Sequence, residues 1–229
     1  MSSAGLVNHW IDMPEWSPSR ELWAFYLTFG QESLLHSAVR NYHGQMKQTP
    51  GLDTIEAEWL HVTLQGIAFS DEVENTSIDA ITELLAPQIA QKPIPTLTAQ
   101  RLEVDLDSII IPVAPTQPLT ELRQLIRDTA STILGPSHLY QLPESRIGFA
   151  PHISLAYAYS SVSEAALASL MESLKPVPVD LNVKHLSLIR LKREPRRWSW
   201  SYERRLPFSA GERRKPHGFH TTSRAESCP

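Results

Sequence analysis

The chain has 229 residues, 41% hydrophobic and 20% charged, with a net charge of −4. These values fit a folded protein of one domain or a bilobed unit. They exclude a chain-wide attraction to nucleic acid, so any RNA contact has to come from a local patch or a small site. The single cysteine, Cys228, rules out an internal disulfide and makes a reducing cytoplasm the expected compartment. No run of about 18 apolar residues marks a membrane span, and the first residues lack the basic-then-apolar pattern of a signal peptide.

Residues 1–20 are polar, contain Pro14 and Pro18, and are expected to form a loosely held leading segment. An aromatic-rich strand is expected at 22–29. A helix follows at 31–46, with Leu34, Leu35, Ala38, Val39 and Tyr42 at helical spacing, and Pro50-Gly51 breaks it. A strand is expected at 59–67. The helix at 76–89 carries Ile78, Ile81, Leu84, Leu85 and Ala90 as its buried stripe, and Pro93 and Pro95 end it. Residues 96–104 and 108–113 look like a strand pair joined at Asp105-Leu106-Asp107.

The second part of the chain repeats this order. A helix at 119–134 (Leu122, Leu125, Ile126, Ile133) closes at Gly135-Pro136. A strand follows at 149–158, then a helix at 163–174 with Ser163 as N-cap and Glu164 in its first turn. Strands are expected at 179–191 and 198–208. From Ser209 onward the chain is polar and basic, and disorder is expected. Each half therefore runs strand, helix, strand, helix, strand, giving lobes of about 21–104 and 105–208 with strands free to cross between them. The fold class is α+β: bilobed, built from duplicated units, with a central cleft between two antiparallel sheets.

The chemistry is concentrated in the middle strand of each half. In the 59–67 strand, alternation puts Leu60, Val62 and Leu64 on one face and Trp59, His61, Thr63 and Gln65 on the other. In the 149–158 strand, His152 and Ser154 share a face while Ile153, Leu155 and Tyr157 point the other way. The other histidines are given structural or surface roles: His9, His217 and His220 lie near the ends, His36 and His43 on a helix, His138 in a loop, and His185 on a late strand that could approach the cleft. His61 and His152 differ because each brings a hydroxyl at i+2, and because the unit occurs twice.

Two such imidazoles suit acid–base chemistry. One takes a proton from an attacking hydroxyl or water, and the other gives one to the leaving oxygen. Thr63 and Ser154 add hydrogen-bond donors where a phosphodiester accumulates charge on its non-bridging oxygens. Rate against pH is then expected to be bell-shaped, with both limbs around neutrality. A zinc site fits less well, since the i+2 partner is a neutral hydroxyl, and a third ligand from Asp105, Asp107 or His185 has no supporting spacing. There is no Gly-x-Ser-x-Gly elbow and no phosphate-cradling Gly-rich loop. No metal and no cofactor is expected.

His61-Val62-Thr63-Leu64 and His152-Ile153-Ser154-Leu155 resemble the paired motifs of the two-histidine phosphoesterase superfamily, which includes bacterial RNA 2′,5′-ligase-like proteins and 2′,3′-cyclic phosphodiesterases. Residues 149–155, with Pro151 before the histidine, are the nearest match, and 23–27 and 202–208 resemble the family's opening and closing strands. The resemblance covers about residues 20–208. It implies motifs facing each other across a cleft, and metal-independent chemistry on a 2′,3′-cyclic phosphate or a 2′–5′ linked end. RNA-ligase-like members often carry a basic residue just after the second motif, where this chain has Ala156-Tyr157-Ala158, a departure that weighs against the ligase subfamily. The expected activity is hydrolysis of a 2′,3′-cyclic phosphate, with reversible 2′–5′ ligation or a non-catalytic nucleotide- or RNA-binding module on the same fold as the alternatives; the two intact histidine–hydroxyl pairs weigh against the module. The expected partner is a nucleotide or RNA end carrying a cyclic phosphate, with no membrane, and the expected state a monomer.

Trp59, on the His61 face, is the first candidate to stack on a nucleobase, and Tyr26 is placed to line the cleft. Tyr157, on the core face by alternation, is not a candidate. Arg193, Arg196, Arg197, Arg204 and Arg205 surround Trp198 and Trp200, a composition compatible with single-stranded RNA. A solvated strand face beside a basic loop is the preferred reading of that stretch.

Overall fold

The computed structural model describes residues 5–11, 13–17, 19–29, 33–93, 97–141, 148–175 and 178–209. The elements run β1 (Glu21–Thr28), α1 (Ser33–Met46), β2 (Leu52–Thr54), β3 (His61–Phe69), α2 (Asn75–Ile89), β4 (Leu97–Ala99) and β5 (Glu103–Val104). Then come β6 (Ser108–Ala114), α3 (Gln117–Leu134), β7 (His152–Ala158), α4 (Glu164–Ser173), β8 (Val179–Leu181), β9 (His185–Glu194) and β10 (Arg197–Pro207). The expected disordered tail lies outside the described residues from 210 onward.

The helices form where apolar residues recur at 3.6-residue spacing. Leu35, Val39, Tyr42 and Met46 face inward on α1, and Ile78, Ile81, Leu85 and Ile89 on α2. Leu34, Leu84 and Ala90, expected in the buried stripes, turn outward instead. Each sits one position off the inward row, and the neighbouring leucine or isoleucine takes the core place. Helix α3 buries Leu119, Leu122, Ile126 and Ala130, and ends at Gly135, whose φ of 84° is one that a side chain resists. Ser163 caps α4 by accepting the Ala166 N–H at 3.3 Å. Ser163→Ala is expected to cost about 1 kcal/mol, measured as a lower urea midpoint at unchanged m.

Two antiparallel sheets form, ordered β10-β9-β1-β3 and β2-β7-β6-β4-β8, with β5 added to the free part of β6. The duplication is visible, but its halves exchange strands. The opening strand of each half pairs with its own middle strand, β1 with β3 and β6 with β7. Its other neighbour comes from the opposite half: β9 beside β1, and β4 beside β6. The helices cross too: α3 packs on β3 with α2 beside it, whereas α1 packs against β7 and β8. The run expected as one strand at 179–191 feeds both sheets, as β8 on β4 and β9 on β1, and breaks at residues 182–184 to do so. The run expected at 96–104 is also interrupted, into β4 and β5, but both pair with β6.

Strand β1 explains how the core is divided. Leu22 through Leu27 are all buried, because both faces of the strand are covered. Trp23, Phe25 and Leu27 join the main core with Val62, Leu64 and the helices. Leu22, Ala24 and Tyr26 join a smaller cleft-side cluster with Trp16, Ile189 and Leu191. The leading segment, expected to be loose, is part of this construction. Leu6 is buried and bridges to Val162, the Val7 N–H donates to the Leu106 carbonyl at 3.1 Å, and the His9 N–H to the Ala158 carbonyl at 2.8 Å. Trp16 packs edge-on to Phe69 and Trp198 on the other sheet. The segment thus ties the two sheets together, anchored by the apolar Leu6 and Trp16 within an otherwise polar stretch.

Candidate active site

The His61 ring is held in three ways. Its Nδ1 lies 2.6 Å from the Trp59 carbonyl oxygen. A carbonyl only accepts, so Nδ1 carries the hydrogen and Nε2 keeps its lone pair. Tyr26, opposite Thr63 on the neighbouring strand, stacks on the ring at 4.4 Å and 13°, and Trp200 meets it edge-on at 5.8 Å. Burial under these rings pushes the imidazole down to about 4; the Trp59 carbonyl opposes that shift and the His152 charge adds to it. The two imidazoles therefore feel each other, consistent with β3 and β7 lying against one another across the cleft.

His152 repeats the arrangement. Its Nδ1 lies 2.8 Å from the Ala150 carbonyl, again two residues earlier, so its Nε2 is also the unprotonated nitrogen of the neutral ring. Each motif hydroxyl has a tyrosine beside it: Tyr26 for Thr63 and Tyr157 for Ser154. Burial raises both phenols, Tyr157 to about 12, so both stay protonated at neutral pH and act as neutral hydrogen-bonding groups.

Three expectations are corrected by strand irregularities. The β3 strand begins at His61, because Ala57–Trp59 form a 3₁₀ turn, so Trp59 does not share a strand face with His61. Trp59 still borders the same recess, edge-on to Trp200 at 4.7 Å, and its carbonyl orients His61. Gln65 does not line the cleft. The β1–β3 register slips between Phe25 and Tyr26, and Gln65 turns inward, where its Nε2 donates to the Gly66 carbonyl and Arg127 donates to its Oε1 at 2.9 Å. Tyr157 is the converse case. A slip between Ile109 and Ile110 on β6 gives β7 an extra residue between Ser154 and Ala156, reversing the alternation, and Tyr157 enters the cleft.

His9, given a mobile-end role from its position, is also in the cleft. It stacks on Tyr157 at 3.9 Å and 18°. Its Nδ1 meets Asp107 Oδ2 at 2.9 Å, and its Nε2 accepts the Trp198 indole N–H at 2.9 Å. Both ring nitrogens are used in holding the site. His185 lies on the cleft-facing row of β9, with Nε2 3.3 Å from Thr28 Oγ1, while Thr28 and Ser187 donate to Glu203 at 2.8 and 2.7 Å. His36 and His43 are packed on α1, as their helical spacing implied.

The arginines around Trp198 and Trp200 are engaged within the protein. Arg196 pairs with Asp53 and lies over the Tyr159 ring, and Arg197 pairs with Glu194. Arg204 pairs with Asp79, Arg205 with Glu203, and Arg193 donates to the Trp10 carbonyl. Among the described residues, no three His, Cys, Asp or Glu side chains gather closely enough to hold a metal ion, and no helix is long and apolar enough to cross a membrane.

Two antiparallel sheets with exchanged strands, each carrying a His-x-hydroxyl pair, one on β3 and one on β7, define a two-motif, bilobed α+β protein of the two-histidine kind. Residues 35–195 match the 2′-5′ RNA ligase superfamily, and the chain belongs to that family. Among solved structures it is similar to TT0787 of Thermus thermophilus, at 17% identity over 80% of this chain and 97% of that one, with a TM-score of 0.56. E. coli LigT, in its complex with 3′-AMP, is 21% identical over 82% of this chain and 98% of its own, with a TM-score of 0.54. A conserved protein of unknown function from Agrobacterium tumefaciens, ATU0111, gives 14% identity, 86% and 91% coverage, and a TM-score of 0.54. At these identities the likeness is one of fold. No curated protein sequence matches the chain at a significant level.

Proposed function

We propose that the protein is a phosphodiesterase that hydrolyses a 2′,3′-cyclic phosphate on a nucleotide or RNA end, with His61 and His152 as its acid–base pair. One observation carries the reading. Both imidazoles donate Nδ1–H to the carbonyl two residues earlier, which leaves both Nε2 atoms for chemistry, each beside a hydroxyl at i+2. His61, pushed down to about 4, is neutral at pH 7 and takes the base role, which leaves the acid to His152. Water attacks phosphorus as His61 Nε2 removes its proton. The cyclic P–O bond breaks as protonated His152 gives its proton to the departing ribose oxygen. The product is a phosphomonoester beside a free hydroxyl, and solvent exchange resets the two rings. Thr63 and Ser154 bond the non-bridging oxygens as charge builds on them.

Ligation is the second reading, favoured by the family's own description. The same centre would then use a ribose hydroxyl in place of water. The paired state of Arg193, Arg196, Arg197, Arg204 and Arg205 leaves little free positive charge to hold a second polynucleotide strand end. E. coli LigT is described in complexes with 3′-AMP and with NADP+, and nucleotide-sized substrates are proposed for this chain also. The test is turnover of a 2′,3′-cyclic nucleotide in EDTA, with an oligonucleotide carrying a free 5′-hydroxyl added in a parallel reaction. Hydrolysis that survives chelation is expected. Loss in EDTA with recovery on adding zinc or manganese would assign the chemistry to a metal, and a joined product would favour ligation.

A further inference from the structure

Beside the first motif lies a cavity of about 430 Å³, within the size range of small-molecule sites. His61, Thr63, Tyr26 and Tyr157 are among its lining residues. The leading segment lines it too, through Val7, His9, Met13 and Trp16, together with Leu106 and Leu191. Among the described residues no lysine or arginine lines it; apart from the two histidines and two tyrosines already placed, its described acid–base groups are Tyr140 and the carboxylates Glu15 and Asp107. Each carboxylate has one oxygen engaged: Glu15 Oε1 with the Tyr140 hydroxyl at 3.3 Å, and Asp107 Oδ2 with His9 at 2.9 Å. A smaller recess that shares His61, Tyr157 and Trp198 with it has different chemistry, with Arg196, Arg197, Asp53 and Glu56 in its wall.

We infer that the large cavity is a nucleobase subsite, built by the leading segment, that selects bases bearing amino groups over uracil. The inference rests on the proposed position of the phosphate at His61 and His152. In a 2′,3′-cyclic nucleotide the base is attached one ribose carbon away from the cyclic phosphate, so anchoring the phosphate at the motifs delivers the base into an adjacent space. A wall of aromatic rings and carboxylates accepts an uncharged ring and repels a second phosphate. Carboxylate oxygens only accept hydrogen bonds. They therefore favour guanine, with its adjacent N1–H and N2–H groups, and then adenine or cytosine. Uracil offers only its N3–H, flanked by two carbonyl oxygens that repel a carboxylate. Because His9 spends both ring nitrogens on Asp107 and Trp198, it holds this wall in place and is a positioning residue.

The experiment has a turnover arm and a binding arm. Turnover compares kcat and KM for the 2′,3′-cyclic phosphates of guanosine, uridine and unsubstituted ribose. Binding compares guanosine 3′-monophosphate, uridine 3′-monophosphate and glycerol phosphate by quenching of tryptophan fluorescence, and needs no catalysis. In the wild type, guanosine 3′-monophosphate is expected to bind at least about tenfold tighter than the uridine compound, the gain of about one charge-assisted hydrogen bond, and tighter still than glycerol phosphate. The turnover arm should show the same order, mainly through KM. Leu106→Trp and Ile11→Trp place a bulky ring at the cavity from two different segments, at positions 68% and 55% exposed that tolerate it. Both are expected to collapse the differences, and Glu15→Gln to narrow the gap between guanine and uracil. Equal binding of the three ligands by the wild type, or full discrimination retained in both tryptophan variants, overturns the subsite. Discrimination in binding with no turnover of any substrate leaves the subsite standing and refutes the proposed hydrolysis.

Discussion

Replacing His61 or His152 by alanine is expected to lower kcat/KM for a 2′,3′-cyclic nucleotide by about 10²–10⁴-fold, since each removes one proton-transfer group from the transition state. The double replacement should cost much less than the product of the two, because a base without its acid has little left to contribute. The pH profile separates the roles. A general base works only when unprotonated, so kcat/KM rises as pH climbs through the base's pKa. With His61 held near 4 by burial under Tyr26, that limb lies well below neutrality, and the plateau extends into mildly acidic solution. His61→Ala should erase the acidic limb. Tyr26→Leu removes the stacked ring, rewets His61 and should move the acidic limb upward. An acidic limb unchanged in His61→Ala would show that some other group is the base. The expectation from sequence placed both limbs around neutrality. The burial of the His61 ring under its neighbour strand is what moves its limb down.

Thr63→Ala and Ser154→Ala are each expected to slow turnover by about 10²–10³-fold, as loss of one donor to a charged transition state does. The loss should fall on kcat, because the charge these hydroxyls meet is greatest in the transition state. Thr63→Ser keeps the donor and should be mild. Tyr26→Phe and Tyr157→Phe leave each motif hydroxyl without its polar neighbour. Their effect should be smaller than that of the hydroxyl deletions, because the tyrosines orient the donors and do not replace them. Thermal unfolding of Thr63→Ala should stay close to wild type, since Thr63 borders the cleft and not the main core. If Thr63→Ser proves as damaging as Thr63→Ala, the threonine methyl contributes by packing and the hydroxyl is not the active feature.

Much of the site was legible because its signal is local. His61 with Thr63, and His152 with Ser154, are i,i+2 pairs, and a strand puts such pairs on one face whatever surrounds it. The residues missed were those whose direction depends on pairing. Tyr157 enters the cleft only because β6 and β7 slip by one residue, and Gln65 leaves it for the corresponding reason on β3. No pattern of side chains announces a slip of that kind. His9 was dismissed for its position near the terminus, although Leu6, Trp10 and Trp16 around it are apolar enough to have marked the segment as packed. The carbonyls of Trp59 and Ala150, which settle the tautomers, carry no residue-specific signal at all.

By itself the amino-acid sequence determined the alternation of strands and helices, the duplication, and the two histidine–hydroxyl pairs, because periodicity and adjacency follow from local backbone geometry. Tertiary structure alone decided which strands became neighbours. The exchange of β4 and β9 between the halves, and the crossing of α1 and α3, depend on contacts between residues far apart in the chain. It also decided the electrostatics. The imidazole of His61 titrates low because Tyr26 and Trp200 displace water from it, and desolvation is a property of the surroundings and not of the residue. Part of the cleft's lining was decided in the same way, when a polar leading segment found Val162, Ala158 and Trp198 to bind and closed the space beside the first motif.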